Sequence, residues 1–221
     1  MPSPMPEHRA GLLLAAGLAS RMDHRPKALL QRDGVSLVRR NATALLDWGL
    51  TQLVVVVGHH GAALREALAG LPVECVPNPE PETGQARSLQ MGLQALPPQT
   101  ESLMIALADM PLLQAEDVHE LGRAFDARPP TADFVQPLRG DERGNPVVIS
   151  ARLFQEWRAS PQPVLGQAWQ QQHPARVHAW PTANPHFFVD LDTPDDLLTL
   201  HAQYGIALHW PAPPTSPRTS P

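Results

Sequence analysis

The 221-residue sequence has one cysteine, no long apolar segment and no excess of positive charge. Because Cys75 has no second cysteine to pair with, it cannot form an internal disulfide, which favours a reducing compartment and excludes a cysteine-based zinc site. The longest uncharged apolar run, Gly11 to Ser20, is about half of the ~20 residues needed to cross a bilayer. We therefore expect a cytoplasmic protein without a membrane span.

The net charge indicates which class of ligand to expect, and the chain length limits the number of domains. The formal net charge is -5 and the pI is near 6.0, so nothing favours binding to nucleic acid, and small molecules are the expected ligands. Met1 to Arg9 contains three prolines and does not have the pattern of a secretory signal. Trp210 to Pro221 is mostly Pro, Ser and Thr. We expect one domain over residues 10–204, with disordered tails at 1–9 and 210–221.

From Gly11 onward, short apolar runs alternate with helix-like patterns, which is typical of an α/β sheet covered by helices on both faces. Gly11–Leu14, Leu53–Val57 and Leu103–Leu107 are continuous apolar runs, as expected for inner parallel strands. Ser36–Leu50 lies between the first two runs and has apolar residues at helical spacing. The predicted fold is a single-domain, mostly parallel, doubly wound, Rossmann-like sheet.

The second half of the chain has a weaker pattern. Phe134–Pro137 and Val147–Ser150 are predicted to be short strands, and Phe187–Val189 a last short strand. The final helix is predicted to begin at Pro194, where a missing backbone N–H costs nothing, with Thr193 as its cap.

The segment after the first strand has the composition of a phosphate-binding loop. Ala15, Ala16 and Gly17 leave room for a ligand to approach the backbone, and Arg21 and Lys27 add two positive charges to the same loop. A plain strand-to-helix turn is the alternative, and the two cations favour phosphate binding over it. The loop lacks the Gly-Lys-Ser/Thr of a P-loop and the three spaced glycines of a dinucleotide fingerprint.

Carboxylates follow two of the predicted strands. Asp109 comes two residues after Leu103–Leu107, and Asp190 and Asp192 come after Phe187–Val189. If that last strand is extended through Asp190, the two later carboxylates point the same way, and either could join Asp109 in holding Mg²⁺. The alternative is that these residues form turns or cap the final helix.

Three motifs in this order resemble the MobA-like nucleotidyltransferase family. They are Leu14-Ala15-Ala16-Gly17-Leu18-Ala19-Ser20-Arg21-Met22 with Lys27, then Leu107-Ala108-Asp109-Met110-Pro111, then Asp190-Leu191-Asp192-Thr193-Pro194-Asp195-Asp196-Leu197. The resemblance extends from Ala10 to Tyr204. Within the family, the Ala15-Ala16-Gly17 loop and the segment Asn78–Leu93 look most like the molybdenum cofactor cytidylyltransferases.

The resemblance implies a Mg²⁺-dependent transfer of a nucleoside monophosphate, CMP from CTP in that branch, to the molybdenum-molybdopterin cofactor. It implies that Gly17, Arg21 and Lys27 bind the triphosphate, that Gly84 and Ser88 lie near the base and ribose, and that Asp109 and Asp192 hold the ion. The implied nucleotide-binding set is Leu14, Ala15, Ala16, Gly17, Arg21, Lys27, Gly84 and Ser88. A molybdoenzyme or its maturation chaperone is the macromolecular partner that the resemblance suggests.

Four positions depart from the pattern of the cytidylyl branch. Ala19 stands where Gly or Ser is usual, Asp23 where Gly is usual, Met110 where Gln is common, and Asn145 where His is usual. A guanylyltransferase of the same pathway and an enzyme for another phosphorylated acceptor, such as a sugar phosphate or a methylerythritol phosphate, therefore stay open. A nucleotide-binding regulator or chaperone without chemistry is the alternative of another class.

Two further groups of polar residues are candidates for a functional site. Arg139, Arg143 and Asn145 could grip the acceptor's phosphate, although a polar hairpin loop explains them as well. His59 and His60 are adjacent, so they do not share a face, and we interpret them as surface histidines and not as a metal pair.

Overall fold

The computed structural model describes residues 8–17, 22, 25–164 and 166–211, and Arg21 of the predicted phosphate loop lies outside these residues. The strands are β1 Arg9–Ala15, β2 Gln31–Arg32, β3 Val35–Ser36, β4 Gln52–Val57, β5 Glu74–Pro77, β6 Ser102–Leu107, β7 Phe134–Arg139, β8 Glu142–Arg143, β9 Val147–Ser150 and β10 Val177–Pro181. The α-helices are α1 Leu37–Leu46, α2 Gly61–Ala67, α3 Gln85–Ala95, α4 Ala115–Asp126, α5 Ala151–Arg158, α6 Gly166–Gln172 and α7 Pro194–Tyr204.

In the described part of the chain, eight strands form one sheet in the order β10-β7-β9-β6-β1-β4-β5, with β8 paired to β7. β1 pairs in parallel with β4 and β6, and β5 extends the parallel part beyond β4. β9 is antiparallel to both β6 and β7. The prediction of a single α/β domain with a mostly parallel central sheet is confirmed, and β2 and β3 form a separate two-stranded sheet.

The continuous apolar runs are explained by helices that cover both faces of the sheet. In β1, Leu13 packs in the apolar layer beneath α1, α2 and α4, whereas its neighbour Leu12 packs in the layer beneath α3 and α5. Val54 and Val55 in β4 divide between the two layers in the same way. Burying each such side chain contributes about 1.5–3 kcal/mol.

A third group of apolar side chains lies at the carboxyl edge of the sheet, and we call it the carboxyl-edge cluster. Its buried members are Met22, Leu30, Leu37, Leu112, Leu191, Leu200 and Ile206. They come from loops, from the helices α1 and α7 and from the segment after α7, so this cluster joins parts of the chain that are far apart in sequence.

The final helix begins where the sequence predicts. α7 starts at Pro194, and Thr193 and Asp196 form a capping box in which the Asp196 carboxylate accepts the backbone N–H of Thr193 at 2.7 Å. The prediction of a strand over Phe187–Val189 is wrong, because Pro185–Phe187 forms a single 3₁₀ turn capped by Asn184. The side-chain alternation expected for Asp190 and Asp192 from an extended strand therefore does not apply.

Three elements in the second half were not predicted, which are β8, β10 and α6. β10 is the edge strand next to β7, and all of its residues are half-buried or exposed. Its sequence, interrupted by His178, therefore lacks a continuous apolar run. α6 is rich in glutamine and contributes the buried Trp169. None of the helices in the described ranges is both long and apolar enough to cross a membrane.

Candidate functional site

A cavity of about 340 Å³ opens at the carboxyl ends of β1 and β6. Its lining includes nine of the predicted site residues, which are Leu14, Ala15, Ala16, Gly17, Lys27, Gly84, Ser88, Asp109 and Asp192. We call it the first cavity. Parallel strands end at the same edge of the sheet, which is why residues from distant parts of the sequence meet here.

The loop after β1 forms one wall of the first cavity. Ala16 is buried, whereas Gly17 is exposed, and a Cβ added to Gly17 would meet no heavy atom of the described residues within 4 Å. The backbone N–H of Ala108 donates to the carbonyl of Leu14 at 3.1 Å, which ties this loop to the loop of Asp109. A ligand can therefore approach the main chain at Gly17 closely, as phosphate groups do in backbone cradles.

Lys27 lies between two carboxylates. Its Nζ atom is 2.8 Å from Oδ2 of Asp109 and 2.9 Å from Oδ1 of Asp192. The side chain of Lys27 is 13% exposed and that of Asp109 is 21% exposed, whereas Asp192 is 53% exposed. Burial alone lowers the pKa of Lys27, but the two carboxylates outweigh it and raise that pKa above its ordinary value. Lys27 is therefore fully charged at neutral pH.

A third carboxylate lies in the electrostatic field of this group. Burial, with the charges of Asp109 and Asp192, raises the pKa of Asp190, and Lys27 opposes the shift only in part. Asp190 is absent from the lining of the first cavity, whereas Asp192 is present in it. Asp192 thus lines the first cavity and pairs directly with Lys27, whereas Asp190 acts on this group through its charge.

The loop that carries Asp192 is fixed by backbone contacts. The Leu191 N–H donates to the carbonyl of Asp109 at 3.2 Å. The carboxylate of Asp196 accepts the Asp192 N–H at 2.7 Å. Burial raises the pKa of Asp196, but hydrogen bonds from the backbone of Thr193 and Asp192 outweigh it and lower the pKa. The N-terminus of α7 thus holds Asp192 next to Asp109.

The start of α3 forms the opposite wall. Gly84 has φ 100° and ψ 174°, a conformation that residues with a Cβ rarely adopt. One turn later, the buried hydroxyl of Ser88 accepts the side-chain N–H of Asn78 at 3.0 Å. The Asn78 oxygen in turn accepts the backbone N–H of Glu80 at 3.0 Å, so both ends of its amide are used. Asn78 fixes the direction of the Ser88 hydroxyl at the cavity.

Sequence reasoning missed two residues that shape the first cavity. One is Asn78, whose signal is a polar residue directly after β5. The other is Gly58, directly after β4, where an added Cβ would lie 2.9 Å from the carbonyl oxygen of Ala16 and 3.2 Å from Cβ of Pro81. Gly58 allows the loop after β1 to pass close to the end of β4.

A second cavity of about 450 Å³ adjoins the first. The two cavities share Leu14, Gly84, Gln85 and Leu107 in their linings. The second is also lined by the aromatic residues Phe134 and Trp157, by the amide side chains of Gln136, Asn145, Gln167 and Gln170, and by Arg143. A ligand that fills both cavities would pass directly over the end of β1.

The three residues proposed to bind the acceptor's phosphate do not all reach the second cavity. Arg143 and Asn145 line the second cavity, whereas Arg139 is not among its lining residues. Arg139 pairs with Glu142 at 2.7 Å, and its guanidinium carbon lies 4.4 Å from the ring centre of Phe188. Arg139 is therefore part of the hairpin.

The predicted surface histidines lie outside both cavities. His59 and His60 are exposed, and His59 is 3.5 Å from a carboxylate oxygen of Glu82. Among the described residues, no group of three or more His, Cys, Asp or Glu side chains lies close enough together to hold a metal ion by itself. Any ion at Asp109 and Asp192 would need further ligands from a substrate or from water.

Comparison with known proteins relates most of the chain to one family. The sequence pattern of the MobA-like NTP transferase domain matches residues 11–177. The chain is 33% identical over 149 residues to nicotine blue oxidoreductase of Paenarthrobacter nicotinovorans, with 65% of this chain and 71% of that protein covered. It is 33% identical over 137 residues to the bifunctional protein GlmU of Heliobacterium modesticaldum, with 62% of this chain and 30% of that protein covered. This chain thus spans about a third of that relative's length.

The fold is also found in a solved structure. The structure of Rv0371c in complex with manganese, from Mycobacterium tuberculosis, matches with a TM-score of 0.68 and 22% identity, covering 89% of this chain and 99% of that chain. At this identity the likeness concerns the fold. The family match ends at residue 177, so Asp190, Asp192 and α7 lie beyond it.

Proposed function

The chain belongs to the MobA-like NTP transferase domain family, and from this premise we propose that it moves a nucleoside monophosphate from an NTP to a small phosphorylated acceptor. The observation that carries the proposal is the junction of the two cavities, which share Leu14 and Leu107 beside the group of Lys27, Asp109 and Asp192. The first cavity would take the nucleotide and the second the acceptor, so the two reacting phosphates would meet at the end of β1.

Lys27 is placed to neutralise phosphate charge. Its ammonium group has three donors, and its two partners here are carboxylates. When a triphosphate enters the first cavity, the ammonium can exchange a carboxylate for a phosphate oxygen and remain paired. The open backbone at Gly17 can donate N–H groups to the same phosphates. Arg21 remains a proposed phosphate ligand by its place in the sequence.

The carboxylates of Asp109 and Asp192 fit a divalent cation. Both lie within hydrogen-bond distance of one ammonium nitrogen, at 2.8 and 2.9 Å, so the two carboxylates are close neighbours beside the Lys27 charge. Mg²⁺ takes oxygen ligands and usually joins one or two carboxylates to substrate phosphates. When bound, the ion would supply positive charge at the α-phosphate. The manganese in the Rv0371c structure supports a divalent ion for this fold.

The reaction needs no nucleophile from the protein. An oxygen of the acceptor phosphate forms a bond to the α-phosphorus, and the bond from that phosphorus to the bridging oxygen of the β-phosphate breaks, releasing pyrophosphate. A phosphate acceptor is ionised at neutral pH, so a general base is not required. Lys27 stabilises the negative charge that gathers on the transferred group, and its attachment through Asp109 and Asp192 fixes it before the substrate arrives.

CTP is the proposed nucleotide because the loop reads Ala15-Ala16-Gly17. Ser88, oriented by Asn78 at 3.0 Å, is the group available to the ribose or base on the opposite wall. The molybdenum-molybdopterin cofactor is the proposed acceptor. The lining of the second cavity supports a flat ring with hydrogen-bonding edges, because aromatic side chains lie beside several amides, and Arg143 can pair with a phosphate.

Three other functions remain to be distinguished from this one. They are transfer of GMP to the same acceptor, transfer to another phosphorylated acceptor, and nucleotide binding without chemistry. Pyrophosphate release is the appropriate readout, because it separates nucleotidyl transfer from mere binding and from the oxidoreductase activity for which one relative is named.

The test is a panel of CTP, GTP, UTP and ATP, each with and without Mg²⁺, followed by thermal unfolding and by pyrophosphate release with the molybdopterin acceptor. We expect CTP with Mg²⁺ to stabilise the protein most, by ~2.7 kcal/mol at 100 times its dissociation constant. Equal or greater stabilisation by GTP would contradict the choice of CTP. Stabilisation without pyrophosphate release from any acceptor would favour the binding protein.

A further inference from the structure

The described part of the chain continues beyond the end of α7. Gly205 closes the helix in the left-handed conformation, with φ 67°, and its N–H donates to the carbonyl of His201 at 2.9 Å. The segment Ile206–Trp210 then runs back along the loop that carries Lys27. We call it the C-terminal segment, and it lies beyond both the family match and the domain end expected at Tyr204.

Backbone hydrogen bonds attach the C-terminal segment next to Lys27. The Gln31 N–H donates to the carbonyl of His209 at 2.8 Å, and the His209 N–H donates to the carbonyl of Gln31 at 2.9 Å. This antiparallel bridge extends the small hairpin of β2 and β3. Gln31 lies just after the 3₁₀ turn Lys27–Leu29, so the bridge fixes the end of that turn.

A cation–π contact attaches the other end of the same turn. The guanidinium carbon of Arg25 lies 4.0 Å from the ring centre of Trp210. Arg25 also donates its backbone N–H to the carbonyl of Met22 at 2.9 Å, and Pro26 follows it directly. Trp210 therefore holds the residues before Lys27, while His209 holds the residues after it.

The C-terminal segment also covers the carboxyl-edge cluster. Ile206 is one of the buried members, and Leu208 and Trp210 pack against them. In this cluster, Leu30 follows the turn of Lys27, Leu112 follows Asp109, and Leu191 precedes Asp192 in the chain. The segment thus packs on the same apolar group as the loops that carry all three charged residues of the site.

We propose that the C-terminal segment contributes to the nucleotide site. In this proposal Trp210 is a positioning residue for the triphosphate, because it acts through Arg25 on the turn that carries Lys27. Among the described residues, the hydrogen bonds within the turn are Leu29 N–H to the carbonyl of Pro26 and Leu30 N–H to the carbonyl of Lys27. A support from outside lowers the cost of ordering this loop when a triphosphate binds. This inference rests on the proposed function, because it takes the first cavity as the triphosphate site.

The experiment compares Trp210→Ala, Trp210→Phe and Trp180→Ala by titration with inorganic tripolyphosphate and with CTP, each with Mg²⁺. Loss of preorganisation predicts that Trp210→Ala weakens both ligands by about 3- to 10-fold, whereas Trp210→Phe, which keeps an aromatic face for Arg25, retains most of the affinity. Trp180 is also half-buried, but its ring packs on Phe187. Its removal should leave both affinities unchanged.

Two further readouts separate positioning from general destabilisation. The KM for the acceptor should be unchanged in Trp210→Ala while the KM for the nucleotide rises, and the thermal midpoint without nucleotide should fall no more than in Trp180→Ala. Unchanged affinity of Trp210→Ala for both ligands, or an equal loss in Trp180→Ala, would overturn the inference. If the wild type binds tripolyphosphate but no NTP, the proposed function fails while the effect of Trp210 can still be measured.

Discussion

The ammonium nitrogen of Lys27 lies 2.8 Å from a carboxylate oxygen of Asp109. This pair joins the loop after β1 to the loop after β6, and the same nitrogen reaches Asp192 at 2.9 Å. Lys27 is the only lysine in the sequence, which otherwise uses arginine for its basic side chains. An ammonium is a compact point charge, whereas a guanidinium is a planar fork, so the two are not interchangeable between converging carboxylates.

We expect Lys27→Ala to weaken NTP binding and turnover together, because the charge contacts phosphate in both the ground state and the transition state. Loss of a charge-assisted contact predicts about a 10- to 100-fold lower NTP affinity. Lys27→Arg should restore little of it. Calorimetric titration with CTP and steady-state kinetics provide the two measurements, with circular dichroism as the control for folding.

The single lysine allows an independent check of the same prediction. Amine-selective acetylation followed by mass spectrometry reports on Lys27 alone among the side chains, and bound NTP with Mg²⁺ should slow it. If NTP affinity is unchanged in Lys27→Ala and acetylation is not slowed, Lys27 serves only to pair with the two carboxylates and the proposed phosphate contact is wrong.

The carboxylates provide the second prediction. If Asp109 and Asp192 share an ion, as proposed, removing either leaves that ion with too few protein ligands. Asp109→Asn and Asp192→Asn should each lower turnover on the order of 100-fold or more, and the double variant should be little worse than the worse single variant. Asp190→Asn should lower it less. Pyrophosphate release at saturating Mg²⁺ measures all four.

The outcomes for the carboxylates discriminate between roles. A nearly active Asp109→Asn would contradict the metal assignment. An inactive Asp190→Asn beside an active Asp192→Asn would show that the other member of the pair holds the ion. Titration of Mn²⁺ into each folded variant, without nucleotide, tests ion binding separately from chemistry.

The first half of the fold could be predicted because its strands are covered on both faces. Leu12 and Leu13 pack on opposite sides of the sheet, so β1 has a continuous run without polar side chains from Ala10 to Ala15 and is easily recognised. The prediction of a strand over Phe187–Val189 failed because apolar side chains can also pack from a turn. The ring of Phe187 lies edge-on to the ring of Trp180, with 5.5 Å between the two ring centres. An apolar triplet alone does not distinguish these two cases.

The candidate site could be predicted in part, for a similar reason. Asp109 and Gly17 each lie two residues after the end of an inner strand, and the ends of such strands meet at one edge. The contact of Lys27 with Asp192 joins residues 165 positions apart, and no local pattern indicates it. Asn78 and the support from Trp210 were equally hidden, because each depends on a partner that only the folded chain brings close.

The third prediction concerns Gly58. A methyl group added there would lie 2.9 Å from the carbonyl oxygen of Ala16 and 3.2 Å from Cβ of Pro81, and both of these residues line the first cavity. Gly58→Ala should therefore displace the loop after β1, lowering stability by about 1–3 kcal/mol and weakening NTP binding. Gly166→Ala is the matched control, since its added Cβ would meet the nearest atom, in Trp157, at 3.7 Å. Equal NTP affinity of both variants and the wild type would show that the loop tolerates the contact.

The last prediction concerns the support of the second cavity by Asp133, whose side chain is 5% exposed. Its carboxylate pairs with Arg152 and with Arg176, the latter at 2.6 Å, and accepts the Ser150 hydroxyl at 2.6 Å. Arg176 also forms an ion pair with Glu156 in α5, and this helix contributes Trp157 to the cavity. Burial raises the pKa of Asp133, but these partners outweigh it and hold the pKa below its usual value.

A carboxyl group whose pKa is lower in the folded state than in the unfolded state stabilises the fold at neutral pH. That stabilisation begins to fall near the ordinary Asp pKa of about 4 and is lost as pH falls through the lower folded value. Asp133→Asn should therefore lower the free energy of unfolding by about 1–3 kcal/mol at pH 7. The difference in unfolding free energy between the variant and the wild type should be constant from pH 5 to 8 and should disappear below pH ~4. Urea unfolding across this pH range measures the difference, and Asp141→Asn, on the exposed tip of the β7–β8 hairpin, is the control. A difference that stays constant below pH 4 would show that the carboxylate charge does not stabilise this wall, and that the loss in the variant comes from packing alone.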